Sequence, residues 1–319
     1  MDFQAFLITL REALEAILIV GLILSYLTRL NAKKYHPWVF AGVGLALVSS
    51  YVVALLFQVV FTGFASFGSE TYLKIGIMFA SVFLLSHMVM WMTKESKNVN
   101  GDMQKKINAA VTAGSVTALV VHTYLIVLRE GVETVFFFAA ISGGDIESVF
   151  TSYGALSGLM LALILGYLFF TGTMKFSLKT FFRVTGIMIM FIAAGLLVQG
   201  VGMLQDLGKL GSVYETVQGE PKSVYNIVGF MPEHYQDEVH YVRDTGEDVV
   251  ISGQIGLFLA AMFGYSHNPT VEQIAAYWLY FAFIIVANLV ASKGWLQRKK
   301  KETEPEVQAQ QAMPREHVN

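Results

Sequence analysis

The chain has 319 residues, of which 55% are hydrophobic and only 14% charged, where soluble domains carry roughly 25% charged residues. A mean hydropathy of +0.55 and recurring long apolar runs place it among polytopic membrane proteins, which excludes an ordinary cytosolic enzyme, a nucleic-acid binder and a secreted disulfide scaffold. The net charge of −2 hides a strong segregation of charge, and the lack of cysteine excludes thiolate metal sites and iron–sulfur clusters.

A bilayer core about 30 Å thick takes roughly 20 apolar residues per helix. Seven stretches meet that length: Phe3–Leu30, Trp38–Phe61, Tyr72–Met92, Ala110–Ile141, Val149–Thr171, Phe181–Val201 and Thr270–Ala291. The first is not a signal peptide. It has no basic leader, and Arg11, Glu12 and Glu15 lie inside its apolar run.

Lysine and arginine in the connections set the orientation. Sixteen of them fall on one side: Arg29, Lys33 and Lys34; Lys94, Lys97, Lys105 and Lys106; Lys175, Lys179 and Arg183; and six from Lys293 to Arg315. The other side has four: Lys74, Lys209, Lys222 and Arg243. The expected topology therefore has the N-terminus outside and the C-terminus in the cytoplasm of a multi-pass plasma-membrane protein. Between the sixth and seventh spans, residues 202–269 carry nine acidic and three basic residues and read as an acidic extracytoplasmic segment. Within it Ile251–Tyr265 is apolar but too short to span, which suits a re-entrant or interfacial half-helix. The tail, 293–319, is polar and reads as cytoplasmic, and from Lys301 onward as disordered.

The first and fourth spans share a motif. Leu7–Val20 and Leu125–Phe138 are identical at six of fourteen positions, at an offset of 118, including the arginine and both glutamates of Arg-Glu-x-x-Glu. The third and sixth spans share Gly-Ile-Met, at Gly76–Met78 and Gly186–Met188. Residues 1–109 and 110–201 thus form two three-helix units. Because the first span runs inward and the fourth outward, the repeat is inverted, a signature of secondary transporters. The fold class expected is all-α, an inverted 3+3 repeat followed by a seventh helix at 270–292.

On a helix, Arg11, Glu12 and Glu15 fall within an arc of about 100°, as do Arg129, Glu130 and Glu133. Six ionisable groups at bilayer depth cost on the order of 15–20 kcal/mol, so they must face one another or water. Where the helices meet, four carboxylates and two guanidinium groups sum to −2, which a di- or trivalent cation brings near neutrality. Three readings stay open on residue chemistry alone: this cation site, helix-locking i,i+4 bridges, and arginines that bind an anion. A di-iron oxidase would show Glu-x-x-His pairs, which neither motif has. Carboxylate oxygen is a hard ligand, so the residues point to a multivalent cation and no further.

The duplicated Arg-Glu-x-x-Glu, with the His87–Met92 run (HMVMWM) ending span three, and Gly264-Tyr265 and Asn268-Pro269 ahead of span seven, resembles the oxidase-dependent iron permease family. That family includes the fungal high-affinity iron permeases and the permease of the bacterial Efe ferrous-iron system. The resemblance implies a permease, not an enzyme. It implies iron as the transported ion, no organic cofactor, metal ligation by Glu12, Glu15, Glu130 and Glu133, and an extracytoplasmic oxidase or iron-donor partner. Arg11 and Arg129 read as counter-ions that organise the site. Ala13 departs from the glycine usual in the motif. The alternatives are a carrier of another divalent or heavy metal such as lead or manganese, or a membrane metal sensor or oxidase subunit.

Secondary candidates are weaker. His122 shares the motif face of the fourth span, two or three turns nearer the cytoplasm. Glu233, His234, Asp237 and Glu238 lie at helical spacing in the acidic segment and suit a site that gathers cations electrostatically. The fourteen methionines read as packing residues of apolar helices.

Overall fold

The computed structural model describes residues 2–65, 70–95, 115–172, 178–215 and 221–290. The basic residues Lys97, Lys105, Lys106 and Lys175, the tail 293–319 and the first five residues of the expected fourth span lie outside this set.

The described residues are helical, with one isolated β-bridge between Glu215 and Pro221. The long helices are α1 (Asp2–Arg29), α2 (His36–Ala65), α3 (Glu70–Glu95), α4 (Val116–Ser142), α6 (Tyr153–Phe170), α7 (Leu178–Asp206) and α10 (Val271–Val290). Three short helices join them: α5 (Ile146–Phe150), α8 (Tyr235–Thr245) and α9 (Gly253–Phe263). Five of the long helices, α2, α3, α6, α7 and α10, are long and apolar enough to cross a membrane.

Local chemistry explains the boundaries. Pro37 sits in the first turn of α2 and Pro269 precedes α10, where a missing N–H costs nothing. Ser115 caps α4 by accepting from Ala118 N, and Gly143 ends it at φ 64°, a conformation only glycine adopts cheaply. The expected fifth span began too early. Val149 and Phe150 belong to α5, and α6 starts after Ser152, whose side chain accepts from Ala155 N. The apolar half-helix emerges as the 11-residue α9. At about 16 Å it is too short to cross the bilayer, and it packs against α7, α1 and α8.

Packing is reciprocal. The most extensive pairings are α1 with α6, α2 with α4, and α3 with α7. The two crossings nearest the motifs use the same device. A Cβ on Gly158 of α6 would stand 2.5 Å from Phe6 O and 3.2 Å from Thr9 Cβ on α1. A Cβ on Gly42 of α2 would stand 2.8 Å from Val120 O and 3.1 Å from Thr123 Cβ on α4. Glycine lets the backbones approach closely, the usual route to tight helix association where water provides no hydrophobic drive. The other faces of α2 and α6 expose large apolar side chains, among them Leu45, Val48, Leu55, Leu156 and Leu163, as lipid contact requires.

One glycine lies inside a motif. A Cβ on Gly131 would collide with the Ser50 side chain, approaching its Cβ to 2.7 Å. Ser50 is itself held by a 2.8 Å bond to Ala46 O. Its counterpart Ala13 keeps a methyl group because it packs with Leu10, Leu14 and Ala162. Gly131→Ala should therefore cost about 1–3 kcal/mol by overpacking, with recovery in the Ser50→Gly background. Thermal unfolding in detergent reads both; an unchanged Gly131→Ala protein would mean that α2 and α4 pack less tightly than this.

The chain divides into two compact units, Met1–Ala276 and Tyr277–Asn319. In the second, Tyr277 packs edge-on against Trp278 and Phe281, with ring centroids 6.0 and 5.1 Å apart.

Candidate metal site

The motif side chains of α1 and α4 converge, and all but Arg129 and Glu133 are buried. Arg11 is 0% exposed, Glu12 2% and Glu130 3%. Ligand atoms of Glu12, Glu130 and Glu133 lie within 4.8 Å of one another. Of the four glutamates expected to act together, three form this group. Glu15 is held differently, with one oxygen 3.6 Å from Arg11 Nη2 and the other 3.8 Å from Arg129 Nη2.

The two arginines have different surroundings. Arg11 Nη1 donates to Glu12 Oε1 at 2.5 Å and to Met88 Sδ at 3.1 Å. Arg129 donates to Glu130 Oε1 through Nη2 and Nε, at 2.7 and 3.2 Å, and its Nε lies 3.6 Å from Glu133 Oε1. The Arg129 side chain is 45% exposed, whereas that of Arg11 is fully enclosed. Each arginine thus occupies one oxygen of the carboxylates it meets. Glu12 Oε2, Glu130 Oε2 and Glu133 Oε2, and Glu15 Oε2 beside them, are buried and accept no hydrogen bond from the described residues. Leaving buried carboxylate oxygens without donors is costly. Three such oxygens in one cluster suit a cation that brings its own positive charge.

Sequence reasoning missed Met88. It stands in the His87–Met92 run, but an apolar helix full of methionines carries no signal for which sulfur meets a charge. His122 lies on α4, half-buried, and contributes no atom to the converging set.

A polar cavity of about 1060 Å³ opens near the ends of α1 and α7, lined by Gln4, Gln199, Gln205, Glu233, Asn268 and Gln273 among others. Gln4 precedes Glu12 by eight residues, about 12 Å along the helix. Amide side chains hold the cavity's rim. Gln4 Nε2 donates to Ala261 O at 2.7 Å, and Gln205 links Thr270 to Glu272 at 2.9 Å on each side.

The acidic-segment candidates are placed individually. Glu233 and His234 line the cavity. Burial pushes the Glu233 carboxyl up, but the neighbouring His267, whose Nδ1 lies 3.5 Å from its Oε2, and Ser266 outweigh it and hold the group below the usual carboxylate range. Asp237 accepts from His234 N at 3.1 Å and so caps α8, and Glu238 accepts from Gly253 N at 2.7 Å at the start of α9. Both carboxylates serve helix N-termini, where negative charge is favoured. Among the described residues these four side chains do not gather into a metal-capable group.

Comparison with known proteins gives the family. The chain is 32% identical over 280 residues to the ferrous iron permease EfeU of Yersinia pestis, covering 87% of this chain and 90% of that one. It is 31% identical over 287 residues to EfeU of Escherichia coli, covering 89% and 94%. No solved structure matches significantly. Residues 2–298 match the Iron permease FTR1 family, and with relatives of this identity along most of its length, the chain is a member of that family.

Proposed function

We propose that the protein is a seven-span permease that imports iron across the plasma membrane through the Glu12–Glu130–Glu133 cluster, with Glu15, Arg11 and Arg129 completing it. The observation that carries this reading is the convergence of three carboxylates, each with an oxygen that accepts no hydrogen bond from the described residues. Family membership and relatives described as ferrous iron permeases support iron as cargo.

Two spans join the five apolar ones. Helices α1 and α4 have 28 and 27 residues, about 40 Å each, and only the motif charges interrupt their apolar runs. Intramembrane charges of this kind mark ion pathways. The reciprocal pairing of α1 with α6 and α2 with α4 supports an inverted duplication of units 1–109 and 110–201, with 202–269 extracytoplasmic and 293–319 cytoplasmic. An ion arriving through the polar cavity would shed water onto the carboxylates and displace the arginines from them. Escapable binding of this sort is what transport needs. An extracytoplasmic oxidase or iron donor is the partner this cavity would receive iron from.

Uptake by proteoliposomes containing only this chain tests the function. Labelled Fe²⁺ or Fe³⁺ should accumulate inside, and a sensor or oxidase subunit would accumulate neither. Preference for manganese or lead would replace iron as cargo. Orientation is tested separately, because a chain without cysteine accepts single cysteines cleanly. Ser148→Cys and Lys222→Cys should react with an impermeant thiol reagent applied to intact cells, and Lys34→Cys should not. The opposite pattern would invert the topology.

A further inference from the structure

One buried core methionine sulfur touches the charged cluster. Met88 is buried at 8% exposure on α3. Its Sδ accepts from Arg11 Nη1 at 3.1 Å, and the same nitrogen bonds Glu12 Oε1 at 2.5 Å. One positively charged nitrogen therefore lies between a hard oxygen and a soft sulfur. A cation that displaces it from Glu12 enters a position flanked by both atoms, with the second oxygen of Glu12 and those of Glu130 and Glu133 close by. Helix α3 thus brings a sulfur to a cluster otherwise built of charged side chains from α1 and α4.

We propose that Met88 Sδ is a selectivity-setting ligand for the transported ion, uncovered when Arg11 leaves Glu12. The inference rests on the iron-permease reading and adds to it a preference within the cargo. Carboxylates alone do not separate Fe²⁺ from Mn²⁺, Mg²⁺ or Ca²⁺ except by the general affinity order, and thioether sulfur favours softer ions over hard ones. A mixed oxygen and sulfur set favours ferrous iron over manganous, alkaline-earth and ferric ions. The sulfur is neutral, so it biases selection without adding charge to a site whose net −2 already suits a divalent ion.

The absence of cysteine makes the direct test unambiguous, because any sulfur bound to iron must come from methionine. X-ray absorption at the iron edge of the Fe²⁺-loaded wild-type protein should show a sulfur scatterer in the first shell. A shell of oxygen and nitrogen alone would overturn the proposal. In parallel, Fe²⁺ and Mn²⁺ binding and uptake are compared for wild type, Met88→Leu and Met88→Gln. Leucine keeps the volume, and glutamine keeps the length with a hard acceptor. Both variants should lose about tenfold in preference for Fe²⁺ over Mn²⁺, since a neutral, weak ligand should matter at least as much as the outer-shell partners that cost about tenfold or more. An unchanged preference, or an equal loss for both ions, would mean that the sulfur only supports Arg11, and would also overturn it. Failure of the underlying reading looks different: wild-type protein would then neither bind nor move either ion.

Discussion

Glu130→Gln should abolish iron uptake while the protein still folds and reaches the membrane, and Glu12→Gln should do the same. Both carboxylates are almost fully enclosed, each pairs one oxygen with its neighbouring arginine, and each leaves the other with no donor among the described residues. Glutamine preserves the volume and one acceptor, so the helix contacts survive. It cannot supply charge to a cation that has given up its water, and uptake should fall by more than about a hundredfold, the upper range for losing even an outer-shell partner of a metal ligand. Glu15→Gln should be milder, slowing turnover with binding retained, because Glu15 stands between the two arginines and outside the converging group. Uptake measured beside the amount of protein in the membrane separates transport loss from misfolding. Normal uptake by both Glu12→Gln and Glu130→Gln would remove the central claim.

The arginines should part company. Arg11→Leu is expected to cost about 3–5 kcal/mol of stability, the penalty for breaking a buried ion pair and leaving its carboxylate partner uncompensated. Arg11 is wholly enclosed and serves Glu12, Glu15 and Met88 together. Arg129→Gln should fold normally, because nearly half of its side chain is open. Its effect should fall on the cycle. Arg129 touches Glu130, Glu133 and, across the helix pair, Glu15, so it competes with the cargo for the same oxygens. Without it, iron should bind as tightly or more tightly and leave more slowly. Equilibrium iron binding and initial uptake rate, measured on the same preparation, decide this. A parallel fall in both would mean that Arg129 builds the site and does not exchange against the ion.

Much of the site is legible in the sequence. The arginine and glutamates of each motif stand out because ionisable residues inside apolar runs are too expensive to be incidental, and the helical repeat of 100° puts each set on one face. The duplication at an offset of 118 made the two motifs partners. The long helices were legible for the same reason, since apolar length maps directly onto bilayer thickness. Their ends were less so. The break between α5 and α6 depends on a Ser152 cap, and Val149 and Phe150 on its far side are as apolar as the span that follows.

What the sequence by itself determined is the chemistry and the periodicity: an all-helical membrane protein, two Arg-Glu-x-x-Glu motifs facing a common centre, and an acidic segment outside the apolar helices. Which groups share a bond was decided only by tertiary packing. Three glutamates meet while Glu15 lies between two arginines, because the packing of α1 against α4 decides which faces the two helices present to each other. Met88 enters from α3, at 77 residues' separation from Arg11, where no local pattern distinguishes a sulfur among charges from one among lipids. Asp237 and Glu238, which read as cation ligands by composition, become helix caps because backbone N–H groups at the starts of α8 and α9 reach them first. Residue type and spacing are local properties and survive in the sequence. Partner choice depends on distances between elements that only the folded chain sets.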